Sequence, residues 1–130
     1  MSDTAPRTRV LVVDDSTIVR RYMREALERA QFDVEEAFNG VEALEKIIAQ
    51  PFDLLVVDVN MPKMDGYAFL RALRGRADEH AAIPALMTST EAGPQDIAAA
   101  HAAGANFYLV KPVSQEDLVL HANALTGRSP

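Results

Sequence analysis

The side chains in this chain that could do chemistry are few, and they recur at one kind of place, just after an apolar run. Asp14 and Asp15 follow the run 9–13, and Asp58 follows the run 53–57, with Asn60 two residues further on. Thr88-Ser89-Thr90 closes a third run and Lys111-Pro112 a fourth. If these runs are neighbouring strands, three carboxylates, a set of hydroxyls and one ammonium meet at one edge. Two carboxylates about 4–5 Å apart repel by about 3–4 kcal/mol at an effective dielectric of about 20. Such a cluster needs a cation or a retained proton. Oxygen donors without His or Cys partners suit a hard cation. A partial carboxylate set that leaves room for water and phosphate oxygens suits Mg2+ better than a closed Ca2+ cage. Beside a bound cation, an aspartate can attack a phosphoryl group and form an acyl phosphate. Lysine would bring a compact positive charge to one phosphoryl oxygen, and a Ser or Thr hydroxyl would donate to another.

Taken singly, each residue has a plainer role. An Asp after a strand is usually a turn former or a helix N-cap, and Ser89 could bond to its own backbone. Lys111 could be an exposed loop lysine, and Tyr108 a half-buried strand aromatic. Their joint placement at successive strand ends favours a site.

The elements that must position them are legible as five β-type runs alternating with five helical patterns. Arg9-Val10-Leu11-Val12-Val13 and Asp53-Leu54-Leu55-Val56-Val57 are apolar enough for strands buried on both faces. Asp33-Val34-Glu35-Glu36-Ala37 is more polar, as a sheet edge would be. Residues 83–87 read as a fourth strand whose start Pro84 delays, and Phe107-Tyr108-Leu109-Val110 as a fifth. Val19, Tyr22, Met23, Ala26, Leu27 and Ala30 make the apolar stripe of a first helix, leaving Arg20, Arg21, Arg24, Glu25 and Glu28 off it. A second helix carries Val41, Leu44, Ile47 and Ile48, and a third Tyr67, Leu70 and Leu73. An alanine-rich fourth ends at Gly104, and Ser114-Gln115-Glu116-Asp117 resembles a capping box before a fifth. The alternation requires right-handed crossovers and a parallel sheet covered on both faces, a three-layer α/β domain. Ligands in such folds sit beyond the carboxyl ends of the strands, where the candidate residues fall.

Composition narrows the function classes. The 130 residues suit one domain. With 13 basic and 19 acidic side chains, the formal charge of −6 argues against non-specific binding to nucleic acid or an anionic membrane. No apolar stretch approaches the roughly 18 residues of a membrane span. The first residues lack the apolar run of a signal peptide, so a cytoplasmic location is expected. The absence of cysteine excludes disulfides, thiolate metal sites and cysteine nucleophiles.

Four segments together carry a resemblance. Val12-Val13-Asp14-Asp15-Ser16, the stretch Val57-Asp58-Val59-Asn60-Met61-Pro62-Lys63-Met64-Asp65-Gly66, Met87-Thr88-Ser89-Thr90 and Tyr108-Leu109-Val110-Lys111-Pro112 resemble the response-regulator receiver domain, among these the stand-alone, CheY-like kind. The likeness covers roughly residues 8–125. It implies a doubly wound, flavodoxin-like (βα)5 fold with strand order 2-1-3-4-5. It implies Asp58 as phosphoacceptor, Asp15 as a direct Mg2+ ligand, Asp14 acting through bound water, and the backbone carbonyl of Asn60 as a further ligand. Lys111 would pair with the phosphoryl group, and Lys111-Pro112 would be a cis peptide. For the switch hydroxyl, counting forward from Pro84 and back from Lys111 selects Ser89. Counting from Asp58 alone selects Thr88, and strand alternation allows only one of these neighbours to face the site. Ser89 is preferred, a serine where threonine is commoner. On phosphorylation Ser89 would move toward the phosphoryl group and Tyr108 would rotate inward. The face made by the fourth helix, fifth strand and fifth helix would then change its affinity for a partner. Asn60 and Glu91 fall where the family tunes phosphoryl lifetime.

The expected organisation is a tail at 1–7, a receiver at 8–126 and a tail at 127–130. The expected partners are a sensor histidine kinase and an output protein such as a flagellar motor switch, with no nucleic acid and no membrane. A monomer is expected because the helical stripes leave no apolar face over. Three other functions compete. A haloacid-dehalogenase-type phosphatase wants an acid where Asn60 stands, and asparagine cannot take the proton role. A flavin binder wants a glycine-rich phosphate cradle where Asp14-Asp15 would repel phosphate. A phosphate sink or phosphorelay shuttle would share the fold and the phosphorylation but lack an output, so the chain is read as a non-enzymatic acceptor.

Overall fold

The computed structural model describes residues 7–128, so residues 1–6 and 129–130 of the expected tails lie outside the described residues. The apolar runs become β1 (Arg9–Val13), β2 (Asp33–Ala37), β3 (Leu54–Asp58), β4 (Ala85–Ser89) and β5 (Phe107–Val110). Between and after them lie α1 (Thr17–Arg29), α2 (Gly40–Ala49), α3 (Gly66–Arg74), α4 (Pro94–Ala103) and α5 (Gln115–Thr126), with a short 3-10 turn at Glu79–Ala82. The strands are parallel and ordered β2-β1-β3-β4-β5, as the resemblance implied. β4 starts after Pro84, which cannot donate to the ladder, and runs on through Thr88 and Ser89.

Side-chain alternation divides the core into two layers. Leu11, Val13, Leu55, Val57, Ala85 and Met87 face α2, α3 and α4, where they meet Ile47, Phe69, Leu70, Leu73 and Ala100. Val10, Val12, Leu54, Val56 and Leu86 face α1 and α5, against Met23, Leu27, Leu118 and Ala122. Because both faces are covered, β1 and β3 must be apolar throughout, which is the pattern their sequences show. β2 is an edge strand and accordingly more polar.

Helix starts follow local chemistry. Ser16, Asn39, Asp65 and Ser114 each cap a helix by accepting the backbone N–H of Val19, Glu42, Ala68 and Asp117. Gly104, at φ 111°, ends α4 in the left-handed conformation that favours glycine. Two stripes differ from expectation. In α2 the buried residues are Gly40, Ala43 and Ile47, while Val41 and Ile48 are exposed. In α1, Tyr22 is exposed because its ring spans to the β5–α5 loop, where its hydroxyl donates to the Val113 carbonyl at 2.9 Å. Ile18, Phe38, Phe107, Val110 and Leu120 are exposed too. No helix among the described residues is long and apolar enough to cross a membrane.

Candidate functional site

β1 and β3 are adjacent and end level, so Asp14, Asp15 and Asp58 emerge side by side. One carboxylate oxygen from each lies within 4.8 Å of the others. Asp14 and Asp58 are buried, at 2% and 5% exposure, while Asp15 is exposed. Lys111, just beyond β5, bridges the two buried acids, with Nζ 2.8 Å from Asp14 Oδ2 and 2.9 Å from Asp58 Oδ1. The cluster thus holds three carboxylates, two of them bonded to one ammonium. Burial pushes the Asp58 carboxyl above its ordinary range; the Lys111 hydrogen bond opposes this, and the charges of Asp14 and Asp15 add to it. Burial would lower the Lys111 ammonium, yet its hydrogen bonds to Asp14 and Asp58 outweigh that and raise it. An all-oxygen set with excess negative charge fits a small divalent cation. Asp14 is already engaged through both oxygens, since Oδ1 accepts the Ser16 N–H at 2.9 Å and Oδ2 takes Lys111.

The backbone around Asp58 is set by close packing. The Val59 N–H donates to the Thr88 carbonyl at 2.9 Å, and the Gly66 N–H donates to the Val59 carbonyl at 2.8 Å. A Cβ on Gly66 would sit 2.4 Å from the Asp58 carbonyl oxygen, so only glycine lets the loop fold back this tightly. Val59 and Met61 are buried beneath the loop, and Asn60 is exposed between them.

The hydroxyls at the end of β4 part company. Thr88 pairs with Asp58 across the ladder and shares its face; its Oγ1 is buried and has no hydrogen-bond partner. Ser89 lies on the opposite face, on the side of Met87 and Tyr108. The register sets Thr88 level with Asp58 and Ser89 one position further along, at the carboxyl end of β4. Ser89 Oγ accepts the Glu91 N–H at 3.0 Å, and the Tyr108 hydroxyl donates to the Glu91 carbonyl at 2.7 Å. Tyr108 is turned inward, at 9% exposure. Lys111-Pro112 is cis.

Sequence reasoning missed one residue. Arg20 falls off the apolar stripe of α1 and reads as solvent-facing, yet its side chain is only 13% exposed and its Nη1 donates to the Asp14 carbonyl. The signal was its place one turn after the Ser16 cap, close to the acidic pair. Beside the acids, Ile18, Tyr22, Met23, Pro112 and Val113 line an apolar groove of about 540 Å3 that reaches Lys111.

Comparison with known proteins places this geometry. The chain is 40% identical over 121 residues to the response regulator MprA of Mycobacterium tuberculosis, covering 93% of this chain and 51% of that protein. It is 35% identical over 127 residues to the transcriptional regulatory protein ResD of Bacillus subtilis, covering 98% and 51%. The chain therefore spans about half the length of these curated relatives. Among solved structures, the chemotaxis response regulator CheY4 of Vibrio cholerae superposes with a TM-score of 0.86 at 37% identity, over 92% of this chain and 99% of that one. A Francisella response regulator receiver domain gives 0.86 at 29% identity, over 92% and 97%. The family model described as the response regulator receiver domain matches residues 10–123, in agreement with the shared fold, and the chain belongs to that family.

Proposed function

We propose that Asp58 is the phosphoacceptor of a two-component phosphorelay, loaded by a sensor histidine kinase. A carboxylate oxygen of Asp58 attacks the phosphorus of a phosphohistidine. The P–N bond breaks, an acyl phosphate forms, and the released imidazole takes up a proton. The observation that carries this reading is a buried aspartate held between two further acids and a lysine. A Mg2+ ion, held by Asp15, Asp58 and the Asn60 carbonyl with Asp14 acting through water, would neutralise charge as the phosphoryl group approaches. The prior engagement of both Asp14 oxygens supports its outer role. Lys111 stays within reach of the acceptor oxygen to pair with the phosphoryl group. For the donating hydroxyl we keep Ser89, because it ends β4 at the carboxyl edge of the sheet, beyond the Asp58–Thr88 pair, and its proton is not used in accepting from Glu91. Asn60 at the place of a phosphatase's second acid supports a stoichiometric acceptor over a turnover enzyme.

The apolar groove beside Lys111 supports docking of the kinase segment that carries the phosphohistidine. For output we read the face of α4, β5 and α5, where Phe107, Val110 and Leu120 are exposed. Ser89 and Tyr108 are joined through the main chain of Glu91, which ties this face to the end of β4 that neighbours Asp58. A chemotaxis-like protein partner in the cytoplasm is the proposed target. Incubation with acetyl phosphate and Mg2+, followed by intact mass and mapping of the modified residue, tests the acceptor. The reading requires one phosphoryl group on Asp58, and modification elsewhere or none at all refutes it. Phosphorylation that leaves affinity for every candidate output protein unchanged would instead identify a phosphate sink.

A further inference from the structure

We infer that Arg20 is a positioning residue for the cation site, fixing the Asp14–Asp15 peptide in the narrow geometry that favours Mg2+ over larger divalent ions. The inference rests on the reading of that acidic corner as a cation site.

Three donors of one guanidinium reach three elements. Nη1 donates to the Asp14 carbonyl at 2.6 Å, Nε to Glu36 Oε1 at 2.9 Å and Nη2 to Thr17 Oγ1 at 3.2 Å. The end of β1, the first turn of α1 and the edge strand β2 are thereby held by one rigid plane. The Asp14 carbonyl belongs to the peptide unit that joins Asp14 to Asp15, and that unit is planar. Orienting its oxygen therefore orients the backbone from which Asp15 rises. Asp15 is the exposed member of the acidic set and has the most freedom to lose. On the other side, the Asp14 N–H donates to the Ala37 carbonyl of β2 at 3.1 Å. Both backbone groups of Asp14 are thus anchored, one on β2 directly and one through Arg20 and Glu36.

Charge screening does not explain this arrangement, because Glu36 already neutralises Arg20. Burial would raise the Glu36 carboxyl, but its bonds to Arg24 and Arg20 hold it below its ordinary range. Arg24 binds the other oxygen of the same carboxylate, at 2.7 Å. It shares Arg20's partner and lies one turn further along α1, so it serves as an internal control for the ion-pair network. Mg2+ demands near-octahedral ligands at short distance, whereas Ca2+ accepts irregular cages. Loosening the Asp14–Asp15 plane should therefore cost Mg2+ more than Ca2+.

The test is calorimetric titration of Mg2+ and of Ca2+ into the full unphosphorylated chain, with a thermal melt of each variant. Arg20→Met removes the guanidinium, and Arg20→Lys keeps the charge while losing the fork. Both should lower Mg2+ affinity roughly tenfold, the low end for residues that orient metal ligands, and should lower Ca2+ affinity less. Arg24→Ala should melt lower yet keep the wild-type Mg2+ affinity and the wild-type preference between the ions. Unchanged Mg2+ affinity in Arg20→Lys overturns the inference, as does an equal loss for both ions or the same loss in Arg24→Ala. A wild-type chain that binds no Mg2+ defeats the cation reading itself, and this inference with it.

Discussion

Buried charge is treated in opposite ways at the two ends of the sheet. At the carboxyl end, three carboxylates crowd around one ammonium. At the amino end, cations meet carbonyls, amides and ring faces, although Arg9 Nε and Arg128 Nη1 are buried without a hydrogen-bond partner. Arg74, at the end of α3, donates to the carbonyls of Gly104, Ala81 and Ile83 and to the Asn106 side chain. Arg9 reaches Gln50 and lies over the Phe52 ring, while its backbone N–H finds Asp53. Arg128 lies 3.9 Å from the centre of the Phe32 ring and donates to the Ala30 carbonyl. The contrast shows where the fold keeps its stability and where it gives some up. The hydrogen bonds of Arg74 fasten the amino end, and the crowded like charge at the other end fits the proposed phosphoryl chemistry.

Substitutions at each end can break that contrast. The largest expected effect is on function: Asp58→Asn should abolish phosphoryl uptake from acetyl phosphate, read by intact mass. At the opposite end, Arg74→Met should cost about 3 kcal/mol in denaturant unfolding, because buried carbonyls lose a charged donor. Phosphorylation below the melting temperature should survive that change, and a variant of wild-type stability would end the distinction between the two regions. Next comes the cation, where Mg2+ at one hundred times its Kd should add about 2.7 kcal/mol by mass action. Calorimetric melts with and without Mg2+ would show it, and Asp15→Asn should erase it.

A smaller effect sharpens the electrostatics. A carboxyl whose folded pKa is raised loses stability as pH climbs through that value, so ionised Asp58 is a burden at neutral pH. Asp58→Asn should then be more stable than wild type at pH 7, because the amide carries no charge to bury. The gain should vanish in acid below the carboxyl's ordinary range, and a large loss at pH 7 would make Asp58 structural. Smallest is Tyr108→Phe, which removes one hydroxyl bond to the Glu91 carbonyl and should cost about 0.5–1 kcal/mol in a urea titration.

Most of the site was legible because its residues sit at strand ends, and strand ends are marked by local pattern. Alternation puts Asp14, Asp15, Asp58 and Lys111 at strand ends, and the strand order that makes them neighbours came from the resemblance. Arg20 was hidden because periodicity records which residues avoid the apolar stripe, not what they reach instead. Arg74 was hidden for a related reason, since its partners at Gly104 and Asn106 lie some thirty residues on. In α2 the apolar pattern named Val41 and Ile48, yet the close approach of the helix selected Gly40 and Ala43. There the smallest side chains were buried, and a hydrophobicity pattern gives small residues little weight. Counting along the chain separated Thr88 from Ser89, whereas the face each takes depends on how β3 and β4 align.

The Glu91 residue has a practical consequence for redesign. Ser89 and Tyr108 both grip its main chain, and the residue itself is exposed. Position 91 is therefore a dial that can be turned by substitution: acidic, neutral or basic groups installed there would retune the field over the pocket's lip while the linkage between hydroxyl and aromatic ring stays mechanically whole.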